Sequence, residues 1–244
     1  MGPDGIHAAR GAGAGSQAGL GENRGMPAEH PSPAAYRTIA HDGDAEIEVK
    51  RSRFRCLLRR VEDEATARAV VDRARRDFWD ARHHCSAFVL GPPHGTVERS
   101  NDDGEPSGTA GAPMLQVLRG YADEGVSDVV AVVVRWFGGT LLGAGGLVRA
   151  YSDAVRTALD EVGTVRRELL GEWMIELPYD GAGRIENELR GAGVTVLDTV
   201  YGDRLTLRLA LPAADHDHVA ALVARETAGA VDLIEAGERW VDRR

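Results

Sequence analysis

The run Val126 to Val134 is nearly all apolar and mostly β-branched. Apart from Ser127 and Asp128 it offers no polar face to water, so it reads as a central strand. The segment after it is equally constrained. Gly138 to Gly146 contains five glycines, and Leu147 to Val162 then reads as a helix. Backbone that turns through so many glycines takes positive φ or passes close to another group.

Other elements are arranged around that strand. Ala45 to Lys50 alternates polar and apolar residues as a half-buried strand does, and Arg53 to Leu58 reads as a second strand. Glu62 to Trp79 is a predicted helix with Ala65, Ala69, Val70, Ala74 and Phe78 along one stripe. His84 to Leu90 is a further strand, closed by Gly91-Pro92-Pro93. A long polar loop is expected over Glu98 to Gly111, before a helix that accepts Pro113 in its first turn and continues through Leu118. This first domain is α+β and is assigned 35–168. Residues 169–244 read differently. The predicted order is strand 173–179, helix 181–190, strands 194–200 and 205–211 around Tyr201-Gly202-Asp203, helix 214–227 and strand 230–235. That is the β-α-β-β-α-β order of a ferredoxin-like domain. Residues 1–34, rich in Gly, Ala and Pro, read as a disordered tail.

Composition narrows the function classes. The 244 residues carry 29 basic and 38 acidic side chains, a net charge of −9, which argues against coating nucleic acid by bulk electrostatics but not against a local basic site. Residues 35–170 carry −2 of this and 171–244 carry −6, so an anionic partner would meet the first domain. Aromatics are 5%, leaving few candidates for base stacking. Two cysteines, Cys56 and Cys85, make neither a disulfide scaffold nor a thiolate zinc site. No apolar run is long enough for a membrane helix, and a soluble, cytoplasmic protein is expected.

Four segments could carry chemistry. In Ser100 to Pro113, Asp102, Asp103 and Glu105 could offer oxygens to magnesium, although no cofactor is required and the spacing is not that of an EF-hand. The plainer reading is a tight turn with its acidic residues in water. Ser107 and Thr109 precede a helix and suit either an anion or simple capping. Arg135 to Tyr151 leaves a strand, turns at Gly138, Gly139, Gly143, Gly145 and Gly146, and enters a helix, with Arg135 and Arg149 flanking it. A phosphate cradle needs that geometry, and so does a tight packing turn; the Gly-Lys-Ser/Thr ending of the P-loop is missing, and the spacing and βαβ context of the dinucleotide fingerprint fail. In His83-His84-Cys85, strand neighbours point to opposite faces, so the histidines do not share a metal. His84 with Ser86 could line a polar cleft, making His84, Asp103 and Glu105 the candidate catalytic groups if there is catalysis. Around Lys50 to Arg55, Arg53 and Arg55 are candidate phosphate contacts or a solvated edge.

The blocks Lys50-Arg-Ser-Arg-Phe54, His83-His-Cys-Ser-Ala-Phe88, Asp102-Asp-Gly-Glu-Pro-Ser-Gly-Thr-Ala-Gly111, Arg135-Trp-Phe-Gly-Gly139 and Leu142 to Tyr151 together resemble the Impact/YigZ family over about residues 45–160. The resemblance implies a first domain like the second domain of ribosomal protein five of the small subunit. It also implies a small C-terminal domain like one of elongation factor G. Eukaryotic relatives regulate translation initiation under starvation and carry an additional domain that this chain is not expected to share, so their mechanism is not carried over. Trp136 departs from the pattern, standing where tyrosine is usual.

Three functions follow as expectations. The first is a translation-associated regulator that binds structured RNA or the ribosome through Arg53, Arg55, Arg135 and Arg149. The second is an enzyme on a phosphorylated small molecule or nucleotide. The third is a protein–protein regulator that docks through its acidic C-terminal domain. No membrane partner is expected.

Overall fold

The computed structural model describes residues 34–92 and 96–243. The expected tail, 1–34, lies outside the described residues except for its last position, and Pro93 lies outside them too.

The strand elements are β1 (Ala35–Ile39), β2 (Gly43–Val49), β3 (Ser52–Arg60), β4 (His83–Leu90), β5 (Val97–Asn101), β6 (Val129–Trp136), β7 (Thr164–Leu177), β8 (Thr195–Tyr201), β9 (Leu205–Leu211) and β10 (Ile234–Arg243). The α-helices are α1 (Glu64–Asp77), α2 (Gly111–Gly120), α3 (Ala144–Val162), α4 (Ala182–Gly191) and α5 (His216–Thr227). They form two five-stranded sheets, a mixed α+β architecture.

The first sheet has the order β2-β3-β6-β4-β5, with every neighbour antiparallel. β6 sits at its centre because it has no polar face. Val129, Ala131 and Val133 pack among Phe54, Cys56, Cys85, Met114, Tyr151 and Val155, on the side covered by α2 and α3. Val130, Val132 and Val134 pack among Leu57, Val71, Ala74 and Phe88, on the side covered by α1. Helix α1 starts at Asp63, whose Oδ1 accepts the Thr66 amide at 2.7 Å. The register Phe54↔Arg135↔His83 places those three residues in one row across the sheet.

In the second sheet β10, β7, β9 and β8 lie in that order, all antiparallel, which is the ferredoxin-like arrangement. Helices α4 and α5 cover one face, burying Ile185, Leu189, Val219 and Val223 against Ile175, Leu177, Leu207 and Leu209. Strand β1 extends this sheet, pairing Ala35↔Glu168 through Ile39↔Thr164 on β7. Strand β7 itself runs unbroken through residues 168 and 169.

Four elements differ from the sequence expectation. Ala35–Ile39 is a strand, β1, where the sequence reading places none. Val97–Asn101 is a strand, not loop; it pairs with β4 at the sheet edge and is largely exposed, so no apolar alternation announces it. β7 begins nine residues before Trp173, in a charged stretch shared by β1 and β10. The last strand runs 234–243 instead of 230–235. It is mostly exposed and interrupted by a bulge near Gly237, which hides its period.

Polar contacts tie the two sheets together. Asp128, buried and at positive φ, accepts the Tyr36 hydroxyl, Arg167 Nη1 at 2.7 Å and the Gly91 amide at 2.8 Å. Arg167 Nη2 also reaches Glu62 at 2.7 Å. Burial and Asp128 both push the Tyr36 hydroxyl well above its ordinary pKa, so it remains a donor.

Candidate functional site

The acidic loop closes on itself. Asp102 takes three amides: Gly108 at 2.8 Å, Ala110 at 3.0 Å and Gly111 at 2.8 Å. The start of α2 is thus capped by a carboxylate eight residues upstream of Ala110, where the helix dipole favours negative charge. At Ser107 and Thr109, where the sequence suits either an anion or simple capping, the helix start holds the protein's own anion. Thr109 donates its hydroxyl to Pro106 O at 2.6 Å. Burial raises the Asp102 carboxyl and the three amides more than offset it, so its pKa lies below the usual carboxylate range. Gly111 is required for close approach, since a Cβ there would meet the Asn101 amide nitrogen at 2.7 Å.

Asp103 faces elsewhere. Its Oδ1 accepts Arg75 Nη2 at 2.8 Å and its Oδ2 accepts the His84 amide at 2.7 Å. Glu105 is buried, and its Oε1 accepts both Arg135 Nη1 at 2.6 Å and the Tyr151 hydroxyl at 2.7 Å. The three carboxylates therefore do not converge on a magnesium ion, and no group of three or more His, Cys, Asp or Glu is placed to hold a metal among the described residues.

Sheet parity divides the candidate residues. His84 lies on the α1 side, with Nε2 3.0 Å from Phe78 O. Arg53 stacks over Trp136 at 4.5 Å and Arg55 over Phe78 at 5.1 Å, on that same side. Arg55 also donates to Asp44 at 2.8 Å. Trp136 donates Nε1 to Asp80 Oδ2 at 2.9 Å there. Arg135, Glu105, Tyr151 and the start of α3 lie on the other side. The four arginines expected to bind phosphate are thus not one array, and His84 does not face Glu105.

A cleft of about 570 Å³ opens on the α3 side. Arg135, Glu105 and His83 line it, with Arg82, Phe137, Leu141, Leu142, Gly143 and Leu147. Sequence reasoning passed over His83, Cys85 and Tyr151 as site residues. Their signal was the two-residue strand period, which puts His83 and Cys85 on one face. His83 Nδ1 lies 2.9 Å from Asp103 O. Cys85 Sγ lies 3.0 Å from Asp102 O and 3.3 Å from Tyr151 Oη. Burial pushes the Cys85 thiol up to about 12, so it is not a thiolate at neutral pH. Burial, with Cys85 and Glu105 beside it, likewise drives the Tyr151 hydroxyl far above its ordinary value and keeps it a donor.

The glycine-rich turn seats against the β2–β3 hairpin. A Cβ on Gly138 would come within 2.0 Å of the Arg51 carbonyl carbon, and the Gly138 amide donates to Ser52 Oγ at 3.1 Å. Lys50 and Arg51 form the hairpin turn at positive φ. Arg51 Nη2 donates to Thr140 Oγ1 at 3.3 Å. Gly143 then begins α3 with no side-chain cap, and Gly145, Gly146 and Arg149 follow in its first turns.

Comparison with known proteins covers most of the chain. A family model described as the Impact N-terminal domain matches residues 50–159. A second, described as a domain of unknown function (DUF1949), matches residues 175–230. The chain is 40% identical over 207 residues to the IMPACT family member YigZ of Escherichia coli (strain K12), covering 84% of this chain and 97% of that protein. It is 41% identical over 171 residues to the IMPACT family member YvyE of Bacillus subtilis (strain 168), covering 70% and 77%. A crystal structure titled as that of a hypothetical protein aligns with a TM-score of 0.54 at 38% identity, over 82% of this chain and 97% of that one.

Proposed function

The chain belongs to the IMPACT family, and from that premise we propose that it is a translation-associated regulator that docks on structured RNA or on the ribosome. One observation carries the reading. At the end of the first sheet where α3 begins, the exposed cations Lys50, Arg51 and Arg149 have no carboxylate partner among the described residues. Elsewhere on this domain most arginines are paired, as in Arg55–Asp44 and Arg75–Asp103. A chain with net charge −9 that leaves these cations unneutralised on one rim has a local surface suited to phosphates. Phe137 and Leu141, both exposed at this rim, add apolar contact.

Arg135 leaves the contact set, because it is buried and ion-paired. The test is fluorescence anisotropy of the full chain with a labelled RNA hairpin, from about 50 to 300 mM salt. Three phosphate contacts predict a log–log slope of about −2 to −3. Arg51→Ala and Arg149→Ala should each flatten that slope by about 1. Absence of saturable binding at low salt, or slopes unchanged in both variants, would remove the reading.

A further inference from the structure

We infer that the cleft at the start of α3 binds a small organic oxyanion, a phosphate monoester or a carboxylate, whose apolar body lies on Phe137, Leu141, Leu142 and Leu147. Its volume of about 570 Å³ is that of a small-molecule site.

Two independent features supply the anion's partners. The first-turn amides of α3 have no intrahelical acceptor by geometry, and Gly143 provides no side-chain cap. In α1 and α2 the same need is met internally, by Asp63 and Asp102. The second feature is Arg135, only 6% exposed and lining the cleft. Its Nη1 is spent on Glu105, while its Nε is buried without an acceptor. The guanidinium's charge is paired with Glu105, but a buried N–H left without an acceptor is unfavourable, and an oxyanion seated at the cleft floor is the chemistry that would draw it into a bond.

Charge selects the sign of the ligand. Two guanidiniums, Arg82 and Arg135, face one carboxylate, Glu105, and the positive end of α3 points the same way. The walls explain the body: Leu141 is 83% exposed and Phe137 is 49% exposed, so both stand in water when the cleft is empty. Phe137 and Leu141 belong to both surfaces, but Lys50, Arg51 and Arg149 are not among the cleft's lining residues, so Arg51→Ala and Arg149→Ala test the RNA reading without touching this site.

Isothermal titration calorimetry of the full chain with phenyl phosphate, phenylacetate and inorganic phosphate tests the inference. One of the two aromatic anions should bind saturably, about tenfold or more tighter than inorganic phosphate, and which one binds identifies the anionic group. Ala144→Pro deletes one first-turn amide; proline is accepted at the first helical position, and Gly143 at ψ 166 is compatible with it. That variant and Leu141→Asp should each weaken binding about fivefold or more at unchanged Tm. The inference is overturned if neither aromatic anion binds at millimolar concentration, if inorganic phosphate binds equally well, or if both variants bind as the parent does.

Discussion

Asp102 gives the sharpest stability prediction. Its carboxylate serves three amides at 2.8–3.0 Å, and Ala110, the residue at the helix boundary, contributes no side-chain cap. Replacing a capping residue by alanine costs about 0.5–2 kcal/mol, and a single hydrogen bond to a charged group is worth about 1.5–3 kcal/mol. Gly108 is exposed and its amide can return to water, whereas Ala110 and Gly111 are buried. The loss for Asp102→Ala is therefore set by two sealed amides and should be about 2–4 kcal/mol. Asp102→Asn keeps one oxygen for the Ala110 and Gly111 amides, both held by Oδ1, and should lose about half as much. Urea unfolding followed by circular dichroism and by tryptophan fluorescence would measure both, the two probes checking that the transition is shared. Acid provides a second arm. The folded pKa is depressed, so the stabilisation is present above the unfolded value of about 3.9 and disappears as pH falls through the folded value. The gap between parent and Asp102→Asn should be constant at neutral pH and close below about pH 4. An Asp102→Ala protein within about 0.5 kcal/mol of the parent, or a gap that does not close in acid, would refute the capping argument.

Glu105→Ala should cost about 3–5 kcal/mol in denaturant titrations, because Arg135 is left charged and buried, and Glu105→Gln should cost clearly less. Gly138→Ala should lower the thermal midpoint more than Gly139→Ala. The first drives a methyl into the Arg51 backbone, while the second meets only the left-handed backbone penalty of about 1–2 kcal/mol. Arg167→Met should destabilise by about 3 kcal/mol, since it leaves Asp128 buried without its cation, and calorimetry of the variant would show it.

What could be read from the sequence followed burial. The central strand was legible because it is covered on both faces, and the β-α-β-β-α-β order because its hairpin and helices carry ordinary signals. Strands β5 and β10 were not, since their side chains mostly face water and leave no period. The acidic loop was only partly legible for a related reason. A carboxylate that caps amides within its own loop and one that awaits a cation have the same local sequence, and only the fold through Gly108 to Gly111 separates them. Parity on β4 correctly separated His83 from His84, but which face carries the cleft depends on where α3 packs. The arginines failed as a set for the same reason: Arg53 and Arg55 share a strand face that points away from Arg135.

Strand β1 bears on how the chain is made. Its partners on β7 are 125 or more residues further along, Ile39 meeting Thr164 and Ala35 meeting Glu168. At roughly 5–20 residues per second of synthesis, the first strand waits on the order of 6–25 seconds before its hydrogen-bonding edge can be filled. During that interval the first sheet can assemble without it, because none of that sheet's strands pairs with β1. Strand β1 thus behaves as a latch that shuts only after the chain has passed through the whole of the first sheet.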